Sequence, residues 1–262
     1  MAGGRKPPSK GGAKGGAKRP GSGIGGSGGQ RAISQRVKTA KGRKLSSTLW
    51  IQRQLNDPYV QKARAEGYRS RAAYKLIEID DRFHILKPGR TVVDLGAAPG
   101  GWCQVAADRV NATAARPVVA IDILPMDHLD DVVILTQDFN DENAPQNLID
   151  ALKGRRPEIV LSDLAPETTG HRATDHLRIV GLVELALDFA QRTLAPGGTF
   201  LAKVYQGGTE GDLLTALRRD FRQVRHVKPP ASRPESPETY VLATGFRGGG
   251  PAAAAGEDDE ES

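Results

Sequence analysis

Apolar residues fall along the chain in short unbroken runs, with longer segments of mixed character between them. Residues 91–95, 117–121, 132–135, 158–162 and 199–204 are such runs. Their length and continuity predict parallel strands buried on both faces. Two helices precede them, over 57–71 and 70–83, the second carrying Ala73, Leu76 and Ile77 on one face and Lys75 at its side. The clearest crossover helix spans 174–194. There Leu177, Val180, Leu182, Val183, Leu185, Leu187 and Phe189 predict a broad apolar face, and Pro196-Gly197-Gly198 ends it. A last alternating run, 239–244, follows the proline-rich link at 229–237. Strands alternating with helices build a doubly wound α/β sheet, whose ligands sit beyond the carboxyl ends of the strands.

The chain ends change this picture. The 262 residues are 38% hydrophobic, enough for one sizeable core. The first 44 residues hold 12 Lys or Arg and no acid, while residues 257–262 hold five acids and no base. The net charge of +6 is therefore mostly a property of the ends, and the middle is close to neutral. Residues 1–30 are expected to form a disordered basic arm, 31–245 a single domain opening with a helical segment, and 246–262 a disordered acidic tail. Such an arm suits polyphosphate, because binding releases condensed counterions; a solubilising tail is the alternative. Cys103 is the sole cysteine, which excludes an internal disulfide and a thiolate cluster. No apolar run suits a signal peptide, glycine and proline interrupt any transit helix, and nothing approaches ~18 continuous apolar residues. The expectation is a cytoplasmic protein without a membrane span.

Chemistry gathers at the strand ends. The first strand runs into Asp94-Leu95-Gly96-Ala97-Ala98-Pro99-Gly100-Gly101-Trp102, where glycines let the backbone turn tightly and approach a ligand. The spacing is not that of a dinucleotide loop, and Pro99 removes an amide that a pyrophosphate could use. Asp94 suits a cationic amino-acid group, directly or through water. Asp122 ends the second strand, where an acid typically accepts two ribose hydroxyls, and Asp138 after the third strand could contact an adenine amine. Together they describe a pocket for S-adenosylmethionine. Cys103, just after the glycines, reads as packed in a helix.

The segments DLGAAPGGW, IDILPMD, LSDLAP, KVYQG and PETYVLATG occur in this order and resemble the FtsJ/RrmJ-type ribosomal RNA large subunit methyltransferase E family over roughly three quarters of the chain. The resemblance implies a Rossmann-like class I S-adenosylmethionine-dependent methyltransferase with a mostly parallel seven-stranded sheet, its last strand antiparallel. It also implies methylation of a uridine 2'-oxygen in 23S ribosomal RNA within the large subunit. The family's Lys-Asp-Lys-Glu tetrad falls on Lys75, Asp163, Lys203 and Glu238, with Glu235 a nearby rival for the last position. The family's cofactor positions fall on Gly100, Trp102, Asp122, Asp138 and Asp163, beside Asp94 and Gly96. Glu167 stands where many relatives carry asparagine, an extra carboxylate at the substrate mouth.

A ribose hydroxyl is a poor nucleophile, whereas a methyl on a sulfonium is already activated, so the enzyme must align three atoms and accept a proton. That chemistry calls for no metal. Lys203 interrupts the apolar strand Phe200-Leu201-Ala202-Lys203-Val204 and is the expected general base. An ordinary lysine titrates near ~10.4; Lys75 opposite, together with burial, is expected to favour the neutral form. Lowering the value by about 3 corresponds to ~4 kcal/mol. Asp163 and Glu238 would hold both lysines.

Candidate RNA contacts are Arg31, Arg36, Lys38, Lys41, Arg43, Lys44 and Arg53, then Lys62, Arg64, Arg69 and Arg71 on the first helices, all suited to positioning phosphates. Tyr59 and Tyr68 could stack on bases or pack in the core. The expected protein is a monomer with ribosomal RNA as partner. A transfer-RNA 2'-O-methyltransferase, a small-molecule methyltransferase and a non-catalytic RNA-binding assembly factor are the competing readings.

Overall fold

The computed structural model describes residues 55–166, 169–206 and 211–248. The expected arm, most of the expected tail and Glu167 lie outside the described residues. Helix α1 (Pro58–Glu66) begins at Asp57, whose carboxylate accepts from the Tyr59 amide, with Pro58 in the first turn where its missing N–H costs nothing. It stops at Gly67, which takes the left-handed conformation at φ 77°. The predicted helix over 57–71 is therefore shorter, and α2 (Ala73–Phe83) starts correspondingly late.

The described residues then form β1 (Val92–Leu95), α3 (Gly101–Val110), β2 (Val118–Asp122), β3 (Val132–Thr136), α4 (Ala144–Ala151) and β4 (Ile159–Ser162). They continue as α5 (Arg172–Thr193), β5 (Thr199–Tyr205), α6 (Asp212–Asp220), β6 (Phe221–Val227) and β7 (Glu238–Phe246). The sheet has seven strands in the order β3-β2-β1-β4-β5-β7-β6. β1 to β5 pair in parallel, and β7 runs antiparallel to both β5 and β6. The expected class and the reversed last strand are both present.

One core lies between the sheet and α4, α5 and α6, around Leu148, Val183, Phe189, Phe200 and Phe221. The other lies between the sheet and α2 and α3, around Leu76, Ile79, Trp102, Tyr240 and Leu242. The strand order reverses between β1 and β4, so a crevice opens at their carboxyl ends.

Two local expectations change. β6 escapes the apolar pattern because it is an edge strand: Phe221 and Val227 are buried, while Arg222, Gln223, Arg225 and His226 are exposed. Pairing to β7 makes it a strand. On α5 the buried face is Ile179, Val183, Ala186, Leu187 and Ala190, the period of one helix side. Leu177 and Leu185 point off that face, 72% and 43% exposed.

Candidate active site

The crevice holds a cavity of about 1010 Å³, the size of a small-molecule site. Its floor is the glycine loop, through Gly96 and Ala98. Gly96 has φ 78°, and a side chain there would meet the Leu164 backbone at 2.8 Å, so only glycine lets β1 and the segment after β4 approach this closely. Asp122 binds the loop: its Oδ2 accepts from the Ala98 amide and its Oδ1 from the Leu124 amide, both at 2.8 Å. Asp122 lines the cavity, and its remaining lone pairs suit vicinal hydroxyls. Asp138 also lines it, with Oδ1 turned toward Asn140 by bonds of 2.9 Å from the amide and 2.7 Å from the side chain. Ile123 and Leu124, each 59% exposed, add apolar lining together with Leu182 and Leu185 of α5. Two acids and this apolar lining fit an adenosyl group.

Asp163 and Lys203 line the same cavity. The Lys203 ammonium donates to Asp163 twice, to Oδ1 and to the backbone oxygen, each at 2.9 Å. It lies 4.0 Å from Glu238. Glu238 accepts from Lys75 at 2.7 Å, and Tyr240 donates to Asp163 Oδ1 at 2.8 Å. All four expected tetrad residues therefore meet. Topology achieves this by pairing β5 antiparallel with β7, placing Lys203 opposite Tyr240 and Tyr205 opposite Glu238. Among the described residues, Glu235 takes no part in these hydrogen bonds and ion pairs.

Burial alone would raise the Asp163 carboxyl, but Lys203 and Lys75 hold it below the usual carboxylate range. Burial would likewise strip the Lys203 proton, yet Asp163 and Glu238 outweigh it and raise its pKa. The expectation that Lys75 keeps Lys203 neutral is therefore corrected for the resting site. The reason is geometric: the Lys75 charge is spent on Glu238, leaving Lys203 facing two carboxylates.

Sequence reading misses the residues that hold Glu238. Ser232, on the link between β6 and β7, donates to Glu238 Oε1 at 2.7 Å. That link is clasped from outside: the Ala231 amide donates to Glu78 at 2.6 Å, Arg71 donates to the Ala231 oxygen, and Asp57 bonds Arg71 at 2.6 Å and Arg233 at 3.1 Å. No periodic pattern marks a loop, so Ser232 carries no signal. Tyr240 does carry one, since it shares a strand face with Glu238 two residues away.

Not every expected cofactor residue reaches the cavity. Gly96, Asp122, Asp138 and Asp163 line it, whereas Asp94, Gly100 and Trp102 do not. Trp102 is buried, its indole donating to the Ala72 oxygen at 2.8 Å and its ring 5.6 Å from that of Tyr240; it supports the site from behind. Asp94 is fully buried beneath the loop and accepts from the Cys103 thiol at 3.1 Å. Gly100 turns at φ 106° against Arg69.

The RNA candidates divide similarly. Lys62 and Arg64 are exposed on α1. Arg69 is committed to the backbone oxygens of Pro99, Asp127 and His128, and Arg71 to Asp57 and Ala231. Both act inside the fold, their terminal guanidinium nitrogens bonded to protein oxygens. Tyr59 and Tyr68 pack against Tyr74, with Tyr59 donating to Glu78, which is the core reading. Arg31, Arg36, Lys38, Lys41, Arg43, Lys44 and Arg53 lie outside the described residues. Among the described residues, no cluster of three His, Cys, Asp or Glu could hold a metal, and no helix is long and apolar enough to cross a membrane.

Residues 68–246 match the FtsJ-like methyltransferase family. Ribosomal RNA large subunit methyltransferase E of Paramagnetospirillum magneticum is 60% identical over 241 residues, covering 90% of this chain and 98% of that protein. The enzyme of the same name from Sphingopyxis alaskensis is 58% identical over 88% of this chain and 100% of its own. A Plasmodium falciparum protein, whose crystal structure is described as that of a ribosomal RNA methyltransferase, is 33% identical with a TM-score of 0.60, covering 69% of this chain and 100% of that one.

Proposed function

This chain belongs to the FtsJ-like methyltransferase family, and from that premise we propose that it methylates the 2'-oxygen of a uridine in 23S ribosomal RNA of the large subunit. The observation that carries the reading is the meeting of Lys203 and Asp163 with Asp122, Asp138 and Gly96 around one cavity. S-adenosylmethionine would supply a methyl already activated by its sulfonium charge. Asp122 would hold the cofactor's ribose hydroxyls and Asp138 its adenine amine. Lys203 holds the acceptor oxygen and takes its proton, while Asp163 and Glu238 keep the two lysines apart and aimed. Lys203 must first lose the proton these acids stabilise. A positive charge bound in the cavity would lower its pKa, each pKa unit being worth ~1.4 kcal/mol. Lys75 and Glu238 fix the geometry behind it.

The protein acts as a monomer in the cytoplasm, where large subunits are assembled. The test is transfer of labelled methyl to large subunits, free ribosomal RNA and transfer RNA, each prepared without prior modification. Label on one 2'-oxygen of the large-subunit RNA is the expected result. Label on transfer RNA alone would replace the substrate and keep the chemistry. Cofactor binding without transfer to any of them would favour a non-catalytic RNA-binding factor.

A further inference from the structure

A second concave feature lies on the α2 side of the sheet, a cleft of about 240 Å³ lined by Arg82, Phe83, Gln223, Arg225, Leu242 and Thr244. It is built where the carboxyl end of α2 crosses β6 and β7. The register pairs Gln223 with Thr244 and Arg225 with Leu242, so these four side chains share one sheet face. Leu242 is buried and forms the floor, Phe83 is half-buried, and Arg82, Gln223 and Arg225 are exposed. The two guanidiniums flank one ring, Arg82 at 5.0 Å and Arg225 at 5.9 Å from the Phe83 centroid.

Neither guanidinium pairs with a carboxylate among the described residues; Arg225 donates to the Gln223 side chain, and the adjacent Asp81 is bonded to Arg109. From Phe221 to Pro234 the chain contains no acid, while Arg222, Arg225 and Lys228 add positive charge along the edge. An exposed edge strand of this charge repels another basic surface and attracts an anionic one. Aromatic and guanidinium planes beside unpaired positive charge are what single-stranded RNA uses for stacking and phosphate contact. Gln223 and Thr244 add side-chain polar atoms able to bond a base edge.

Place matters as much as chemistry. Arg82 lies seven residues after Lys75 on α2, roughly 10 Å along its axis. Along β7, Leu242 and Thr244 are ~7 and ~14 Å from Tyr240. We propose that this Arg82–Phe83–Arg225 cleft is a second RNA contact, holding a part of the substrate RNA more than one nucleotide away from the methylated ribose, with a phosphate on the guanidiniums. The assignment rests on the RNA-methylation reading and adds to it where the substrate runs after leaving the cavity.

The test compares the full-length protein with its R82E/R225E and Phe83→Leu variants, using unmodified large subunits at several salt concentrations. KM for subunits is expected to rise about tenfold or more in the charge-reversed protein, and the dependence of log affinity on log salt to flatten by about one for each phosphate no longer held. Phe83→Leu should raise KM less and leave the salt dependence unchanged. In both variants kcat and cofactor affinity should stay as they were. Unaltered KM and unaltered salt dependence in R82E/R225E would overturn the proposal. Direct binding of large-subunit RNA, measured in parallel, decides the cleft even if no methyl is transferred, so the two readings fail separately.

Discussion

Asp94 and Asp163 sit at the ends of neighbouring parallel strands, β1 and β4, and meet opposite conditions. Asp163 faces the cavity with Lys203 and Tyr240 bonded to it and Lys75 close by, and its carboxyl is held below the usual range. Asp94 is sealed under the glycine loop. One of its oxygens accepts only from a thiol and the other has no partner. Burial pushes it up to about 7, against the Cys103 bond that lowers it and with Asp163 and Asp122 adding to the rise. Two identical side chains thus differ in proton affinity because topology brings cations to one and none to the other. The charged acid belongs where chemistry is done, and the other supports the loop.

The strongest way to break this contrast is at the tetrad. Lys203→Ala should lower the single-turnover methyl-transfer rate by ~10²–10⁴, the usual range for a positioned proton acceptor, with cofactor affinity little changed. An unchanged rate would end the base assignment. The intact protein should sharpen the same point through pH. Because Asp163 and Glu238 hold the Lys203 proton, the rate should climb as pH rises from 7 toward the lysine range, about tenfold per pH unit while the protonated form dominates. A flat profile in the chemical step would contradict it.

For Asp94 the sign is opposite to that of Asp163. Its folded-state pKa lies above the unfolded one, so its contribution favours folding at low pH. That contribution is lost as pH rises from about 4 through 7, by up to ~4 kcal/mol. Asp94→Asn should therefore gain stability relative to the parent at pH 8 and lose that advantage near pH 4, measured by denaturant unfolding. Parallel pH dependences for the two proteins would refute it. Asp163, with its lowered pKa, stabilises above the unfolded carboxylate value and loses that stability as pH falls below it.

The smallest expected effect lies at the brace. Ser232→Ala removes one hydrogen bond to Glu238, worth ~1 kcal/mol. It should lower kcat about fivefold with KM for RNA unchanged; a change in KM alone would assign Ser232 to substrate binding instead.

Much of this is legible in the sequence. Buried parallel strands must be continuously apolar, so the runs that carry Asp94, lead into Asp122 and end in Ser162 stand out, and so does Lys203 as a charge inside such a run. The predicted helix over 57–71 is overlong because residue periodicity passes smoothly through Gly67, whereas the backbone does not. Trp102 and Arg71 are placed by residue type and position in a motif, which do not reveal which way a side chain turns. Here one indole faces the core and one guanidinium is turned inward onto Asp57 and the Ala231 oxygen.

Local sequence determined which segments became strands and helices, which residues stood at the strand ends, and which chemistry those residues could perform. It did so because hydrophobic period and turn chemistry act over a few residues. Only the tertiary structure decided that β6 is a strand, that Lys75 spends its charge on Glu238, and that Ser232 steadies that acid. It also decided that Arg82 and Arg225 flank one ring. Each of those depends on contacts between residues far apart in the chain, and the proton affinities follow from which charges the fold has made neighbours.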